Sequence, residues 1–172
     1  MSASSPPPLS TRPVAAGDMP AILDLQARVF GPGRFVRTAY RIREGLAPFS
    51  RFCRAGFSGD RLIAAVRFTP VTVGGKPGAL LLGPLAVDPA FANLGYGRRL
   101  VAEGLDAARA AGEALVLLVG DEPYYSRLGF VRVAMGQIAL PGPVDPARLL
   151  AAELIPGALA GYRGLVAADR SG

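Results

Sequence analysis

Five consecutive apolar residues, Leu115-Val116-Leu117-Leu118-Val119, follow closely on an amphipathic stretch from Gly95 to Ala111, and these two segments constrain the fold most. A strand apolar on both faces suits the centre of a sheet that is covered on both sides. The stretch before it reads as a helix, with Leu100, Val101, Leu105, Ala108 and Ala111 on one face and Gly112 to end it. Upstream, Arg51–Phe57, Arg61–Val73 and Ala79–Val87 read as strands joined by Ser58-Gly59-Asp60 and Gly74-Gly75-Lys76-Pro77-Gly78, the pattern of an antiparallel meander. Downstream, a short helix from Pro123 to Leu128 precedes Phe130–Val133, Gln137–Leu140, Ala147–Leu154 and a closing Gly161–Ala167. Near the start, an extended Thr11–Ala15 leads to Asp18. That residue is expected to cap a helix carrying Ile22, Leu23, Leu25 and Val29 and stopped by Gly31-Pro32-Gly33. A second helix is expected from Phe35 to about Glu44. The Ser/Pro-rich residues 1–10 read as a flexible tail and 11–172 as one domain.

Composition removes several classes of function. The 172 residues leave no room for a second enzyme domain, and 51% hydrophobic against 19% charged residues is the balance of a folded chain. No apolar run reaches the roughly 18 residues of a membrane span, and residues 1–10 lack signal-peptide features, so the sequence reads as cytoplasmic with no membrane partner. A single cysteine, Cys53, and the absence of histidine exclude an internal disulfide, a zinc site and a His-based triad, and no metal is expected. The net charge is +6, and eighteen of the nineteen basic residues are arginine. They are dispersed except for Arg34, Arg37, Arg41, Arg43, Arg51 and Arg54. No aromatic-basic interleaving accompanies them, so no nucleic-acid partner is expected.

The chemistry concentrates between Leu81 and Phe130. Asn93-Leu94-Gly95-Tyr96-Gly97 lies between a strand end and a helix start, where first-turn amides point outward beside the positive end of the helix dipole. This is an anion-binding arrangement, and the glycines permit close approach. A Rossmann loop is excluded, because the third glycine and the ribose-binding acid are missing. A Walker loop is excluded because Gly-Lys-Ser/Thr is absent.

Pro84-Leu85-Ala86-Val87-Asp88-Pro89, Gly95-Tyr96-Gly97-Arg98-Arg99-Leu100, Leu115–Val119 and Tyr124-Tyr125-Ser126-Arg127-Leu128-Gly129-Phe130, in this order, resemble the GNAT superfamily of acetyl-CoA-dependent N-acetyltransferases, in its bacterial YhbS-like form. The resemblance spans about residues 12 to 167. It implies an α/β (α+β) fold with a mixed, splayed central sheet of about seven strands and about four helices. Acetyl-CoA is then the co-substrate, its pantetheine paired with the backbone of Leu85, Ala86 and Val87 and its pyrophosphate seated on the amides of Leu94, Gly95, Tyr96, Gly97, Arg98 and Arg99, with Tyr124 alongside. The loop departs from the family at Ala92, where Gln or Arg is usual, and at Leu94, where Arg or Lys is frequent. The main-chain donors remain.

Tyr125, four residues before Gly129, matches the tyrosine whose hydroxyl lies near the CoA sulfur, and is the candidate general acid. Asp121 and Glu122 follow the central strand and are candidate bases, with helix capping as their alternative role. Asp88 is a weaker candidate. A backbone amide around Val87 is the expected oxyanion donor. Glu153 reads as a structural carboxylate and Cys53 as packing. The expected reaction is direct acetyl transfer to a primary amine of a small molecule or peptide. The alternative is a catalytically weak or inactive acyl-CoA-binding sensor of the same fold. The sequence leaves the oligomeric state open, a homodimer included.

Overall fold

The computed structural model describes residues 8–31, 42, 47 and 49–170. The second expected helix, residues 35–44, and Arg34, Arg37, Arg41 and Arg43 lie outside the described residues apart from Ile42. Most of the expected tail does too.

The chain opens with β1 (Ser10–Pro13) and α1 (Met19–Phe30). Asp18 does not cap α1 through its side chain. Its carboxylate instead accepts from the Ala15 amide at 2.8 Å and from both terminal nitrogens of Arg12 at 2.6 and 2.7 Å, bracing the turn that leads into the helix. The meander follows as β2 (Arg54–Ser58), β3 (Arg61–Val73) and β4 (Lys76–Val87), each antiparallel to the next. β2 starts three residues later than expected, because Ser50–Cys53 closes a turn through Cys53 N–H to the Ser50 carbonyl. β4 starts three residues earlier than expected. Gly74 and Gly75 both take positive φ, a two-residue connection that pairs Val73 directly with Lys76.

Next come α2 (Tyr96–Ala110), β5 (Leu115–Val119), the one-turn α3 (Glu122–Tyr125), and the two-residue strands β6 (Val131–Arg132) and β7 (Ile138–Ala139). β8 (Leu149–Glu153) and β9 (Gly164–Ala168) complete the chain. The described strands number nine rather than about seven, in the order β1-β2-β3-β4-β5-β8-β6, with β9 on β3 and β7 on β9. β7 and β9 fall within the expected segments Gln137–Leu140 and Gly161–Ala167 and pair in parallel over two residues.

β5 is central, parallel to β4 and antiparallel to β8. Its Val116 and Leu118 pack with Leu100, Val101 and Leu105 of α2, while Leu115 and Leu117 pack with Val71, Tyr162 and Val166 on the opposite face. α1 covers Ala65 and Ala86 through Ile22 and Leu25. In α2, Gly104 is buried where an added Cβ would collide with the Phe68 ring, so the absent side chain brings helix and sheet together. Ala111, expected on the apolar face, caps the helix and is exposed.

The sheet splays at one place. β4 pairs with β5 only through Ala79–Leu81 and Leu115–Leu117. Beyond that, Leu82 stands opposite Phe68 and Leu85 opposite Val66, so Gly83 and Pro84 together face Arg67 in a bulge. A bulge bends its strand, and the β4–β5 pairing does not continue past Leu81 and Leu117. β4 leaves its neighbour here. No helix among the described residues is long and apolar enough to cross a membrane.

Candidate active site

The splay exposes one edge of β4 beside the start of α2. Asp88 N–H donates to the Ile63 carbonyl at 2.8 Å, and the register runs Ala64 to Val87, Ala65 to Ala86 and Val66 to Leu85. Antiparallel alternation therefore turns the backbone groups of Ala86 toward β3 and those of Leu85 and Val87 toward the opening. Of the three residues expected to meet pantetheine, these two carry outward-facing main chain. The Leu85 and Val87 side chains pack against the core on the α2 side.

The loop from β4 to α2 places Asn93 and Gly95 at positive φ, with Gly95 as the N-cap of α2 at φ 81°. The first intrahelical bond runs from Arg99 N–H to the Gly95 carbonyl, which leaves Gly97 and Arg98 N–H pointing out of the helix end. The two glycines have different reasons. A Cβ at Gly95 would lie in open space, 3.9 Å from an Arg98 nitrogen, so the requirement there is conformational. A Cβ at Gly97 would stand 2.9 Å from the Tyr124 hydroxyl and 3.3 Å from both Leu85 Cδ2 and Val87 Cγ2. Gly97 thus brings helix, strand and tyrosine into contact. The Tyr96 side chain turns inward toward Leu9, Ile63 and Phe91. Arg99 is held by Glu103 at 3.1 Å and by the Leu9 carbonyl at 3.1 Å, whereas Arg98 stays beside Gly95 and Tyr124. Leu94 is exposed.

Tyr124 and Tyr125 stack edge-to-face with centroids 4.8 Å apart, and Tyr125 meets Phe130 in the same way at 5.7 Å. The Tyr125 ring lies over Gly120, where a Cβ would come within 2.7 Å of it. Burial raises the Tyr125 hydroxyl to about 12, with Tyr124 and Asp121 acting in the same direction and Arg148 opposing. Tyr124 is raised by burial, and the Arg98 charge opposes this.

Asp121 stands at the N-cap of α3 without a side-chain capping bond. Its carboxylate faces Arg148 at 3.6 Å, and Glu122 accepts from Arg132 at 3.0 Å. An open cleft of about 490 Å³ runs between these groups, with Gly120 and Tyr124 on its wall. Arg132, Arg148 and Gly120 carried no motif in the sequence. Arg148 reaches the site because its carbonyl accepts from Gly120 N–H, extending the β5–β8 ladder by one step.

Other candidates have structural duties. Asp88 is buried, accepts from Ala90 N–H, and is paired with Arg28 at 3.1 Å and Arg61 at 2.8 Å. The Ala90 amide, together with the two guanidiniums, holds it below the usual carboxylate range. Glu153 accepts from Leu159 N–H at 2.8 Å. Cys53 is buried, with its sulfur between Ser50 and Phe68. Arg51 lies over the Phe52 ring, and Arg54 donates to the Arg51 and Cys53 carbonyls.

A parallel pair splayed beside a helix start is the arrangement implied by the resemblance to the acyl-CoA N-acyltransferase fold. The chain belongs to the acetyltransferase (GNAT) family, whose model matches residues 19–130. It is similar to the uncharacterized N-acetyltransferase YhbS of Escherichia coli K12, at 36% identity over 107 residues. That match covers 62% of this chain and 64% of the relative, less than two thirds of its length. Over the whole structure, it is similar to E. coli YhbS crystallised with CoA, with a TM-score of 0.82, 29% identity, and coverage of 98% of this chain and 94% of the other. A GNAT acetyltransferase of Brucella melitensis in complex with acetyl-CoA superposes with a TM-score of 0.64 at 27% identity, covering 84% and 96%.

Proposed function

We propose that the protein is a cytoplasmic N-acetyltransferase that moves the acetyl group of acetyl-CoA to a primary amine by direct attack. The observation that carries this reading is the splay of β4 from β5 beside the first turn of α2, since it sets strand-edge donors and helix-end amides in line. Pantetheine pairs with Leu85 and Val87, Ala86 forming the strand step between them, as an added pseudo-strand. The pyrophosphate takes the free amides of the loop and first turn, those of Gly97 and Arg98 above all, with the Arg98 and Tyr124 side chains beside it; the expected Arg99 amide is instead engaged with the Gly95 carbonyl. A backbone amide of β4 around Val87 faces the developing oxyanion.

An alkylammonium near pKa ~10.4 must lose a proton before it attacks. Asp121 is favoured over Glu122 as acceptor, because its 3.6 Å contact with Arg148 is looser than the 3.0 Å bond that holds Glu122. As the C–N bond forms and the C–S bond breaks, Tyr125 protonates the departing thiolate. Its burial keeps the phenol neutral across the physiological range, as a proton donor must be. Two protons leave the nitrogen. One passes through Asp121 to water, and the other replaces the proton given by Tyr125.

Calorimetric titration with acetyl-CoA and CoA, followed by thiol release against a panel of amines, tests this reading. Micromolar binding with amine-dependent thiol release is expected. Micromolar binding with no release from any amine would favour an acyl-CoA-binding sensor, a reading to which the arginine pairing of both carboxylates lends itself. No binding at millimolar ligand would overturn both.

A further inference from the structure

The cleft bounded by Asp121, Glu122, Arg132 and Arg148 lies on the β8 side of Tyr125, while the Tyr124 hydroxyl lies on the β4 side against Gly97. Tyr124 stands on the cleft wall while its hydroxyl meets Gly97, so this one side chain separates the cleft from the helix start. Gly120 lines the cleft and the Tyr125 ring lies over it, which sets Tyr125 directly behind this wall. We propose that the cleft receives the acceptor, and that the acceptor is a small primary amine carrying a carboxylate, of the free α-amino-acid type. This rests on the transferase reading above.

The charge pattern selects the ligand. Two carboxylates and two guanidiniums give the cleft no net charge but strong local fields of both signs. A polyamine would be repelled by Arg132 and Arg148, and a polyanion by Asp121 and Glu122. A plain monoamine would engage one carboxylate and leave a guanidinium without its partner. A zwitterion replaces both halves of the Asp121–Arg148 contact together, ammonium to Asp121 and carboxylate to Arg148. That contact is long at 3.6 Å, with side chains 79% and 51% exposed, so little is lost on exchange. A bidentate carboxylate on Arg148 also fixes the orientation of the amine. The open hollow of about 490 Å³ admits such a molecule with room to spare, so charge rather than volume makes the selection. Transfer forms the N–C bond, breaks the C–S bond and releases one proton through Asp121. The acetylated nitrogen is uncharged, so the product loses its hold on Asp121 and departs.

The test offers acetyl-CoA and the common L-amino acids to the full chain, then the same amino acids as carboxamides and as decarboxylated amines, with acetylated products read by mass spectrometry. Acids should be favoured over their matched carboxamides by roughly two- to fivefold in kcat/KM, the scale of one exposed ion pair. Arg148→Gln should abolish that preference while acetyl-CoA affinity stays at the wild-type value. Carboxamides or monoamines acetylated as well as the acids would overturn the proposal and leave the transferase reading standing. A preference that survives in both Arg148→Gln and Arg132→Gln would overturn it too. If acetyl-CoA binds but nothing is acetylated, calorimetry of the CoA-saturated protein with the same acids and carboxamides decides, since equal or absent binding overturns the proposal. Failure of acetyl-CoA to bind overturns the transferase reading itself.

Discussion

Tyr124 and Tyr125 are adjacent in sequence but opposite in environment. Tyr124 is 38% exposed with its hydroxyl over Gly97, and Tyr125 is wedged between Gly120, Leu118 and Phe130. Tyr125→Phe should therefore lower kcat by about 10²–10⁴-fold, the range of a lost general acid, while acetyl-CoA affinity changes little. Loss of affinity in a folded variant would mark the tyrosine as structural. The raised Tyr125 hydroxyl also gives a sign. Its neutral form is favoured in the folded state, so stability is retained below pH ~10 and falls as pH rises from there toward the folded value of about 12. Tyrosinate absorbance should show a component ionising at about pH 12, and that component should disappear in Tyr125→Phe. The Tyr125 register was legible from Gly129-Phe130. The partners of Asp121 and Glu122 were not, since Arg148 and Arg132 lie 27 and 10 residues away and meet them only through the β5–β8–β6 pairing.

At the scale of elements, the site depends on how α2 begins and how closely it settles on the sheet. Gly95→Val places a β-branched residue at φ 81°, a strained conformation for any side chain, even though the space around it is open. The first turn should lose its shape, with acetyl-CoA Kd rising at least about tenfold, as measured by calorimetry, while the far-UV spectrum holds. An unchanged Kd would remove the helix start from the binding site. Gly104→Ala pushes a methyl into Phe68 beneath the middle of the same helix. It should cost about 1–3 kcal/mol in denaturant unfolding despite the better helix propensity of alanine, because overpacking outweighs the gain. A stabilised variant would show that α2 can lift without loss. The α2 and β5 boundaries agree with the sequence to within a residue or so, since periodicity and a continuous apolar run are local signals. The ends of β2 and β4 do not, because a turn at Ser50–Cys53 and a two-residue hairpin at Gly74-Gly75 set them.

In the molecule as a whole, Asp88 joins three parts at the mouth of the site: α1 through Arg28, β3 through Arg61, and the turn after β4 through Ala90. Its carboxyl is held low, so its contribution is present above the unfolded value near pH ~3.9 and is lost as pH falls through the lower folded value. Asp18, lowered first of all by Arg12, acts in the same direction. Stability should be flat from about pH 7 to 5 and decline below about pH 4 in denaturant titrations. Asp88→Asn should lose about 1–3 kcal/mol at neutral pH and show a shallower acid decline, and an identical decline in the variant would place the acid sensitivity elsewhere. The sequence by itself determined the order of elements, the central strand, the glycine turn at the helix start and the tyrosine register, because each is written in neighbouring residues. Only the tertiary structure decided that β4 leaves β5 after Leu81, that Leu85 and Val87 rather than Ala86 turn their backbones to the opening, that Gly97 serves packing and Gly95 conformation, and that Asp88 is a tie rather than a base. These depend on strand register and on contacts between residues far apart in the chain, which no local pattern encodes.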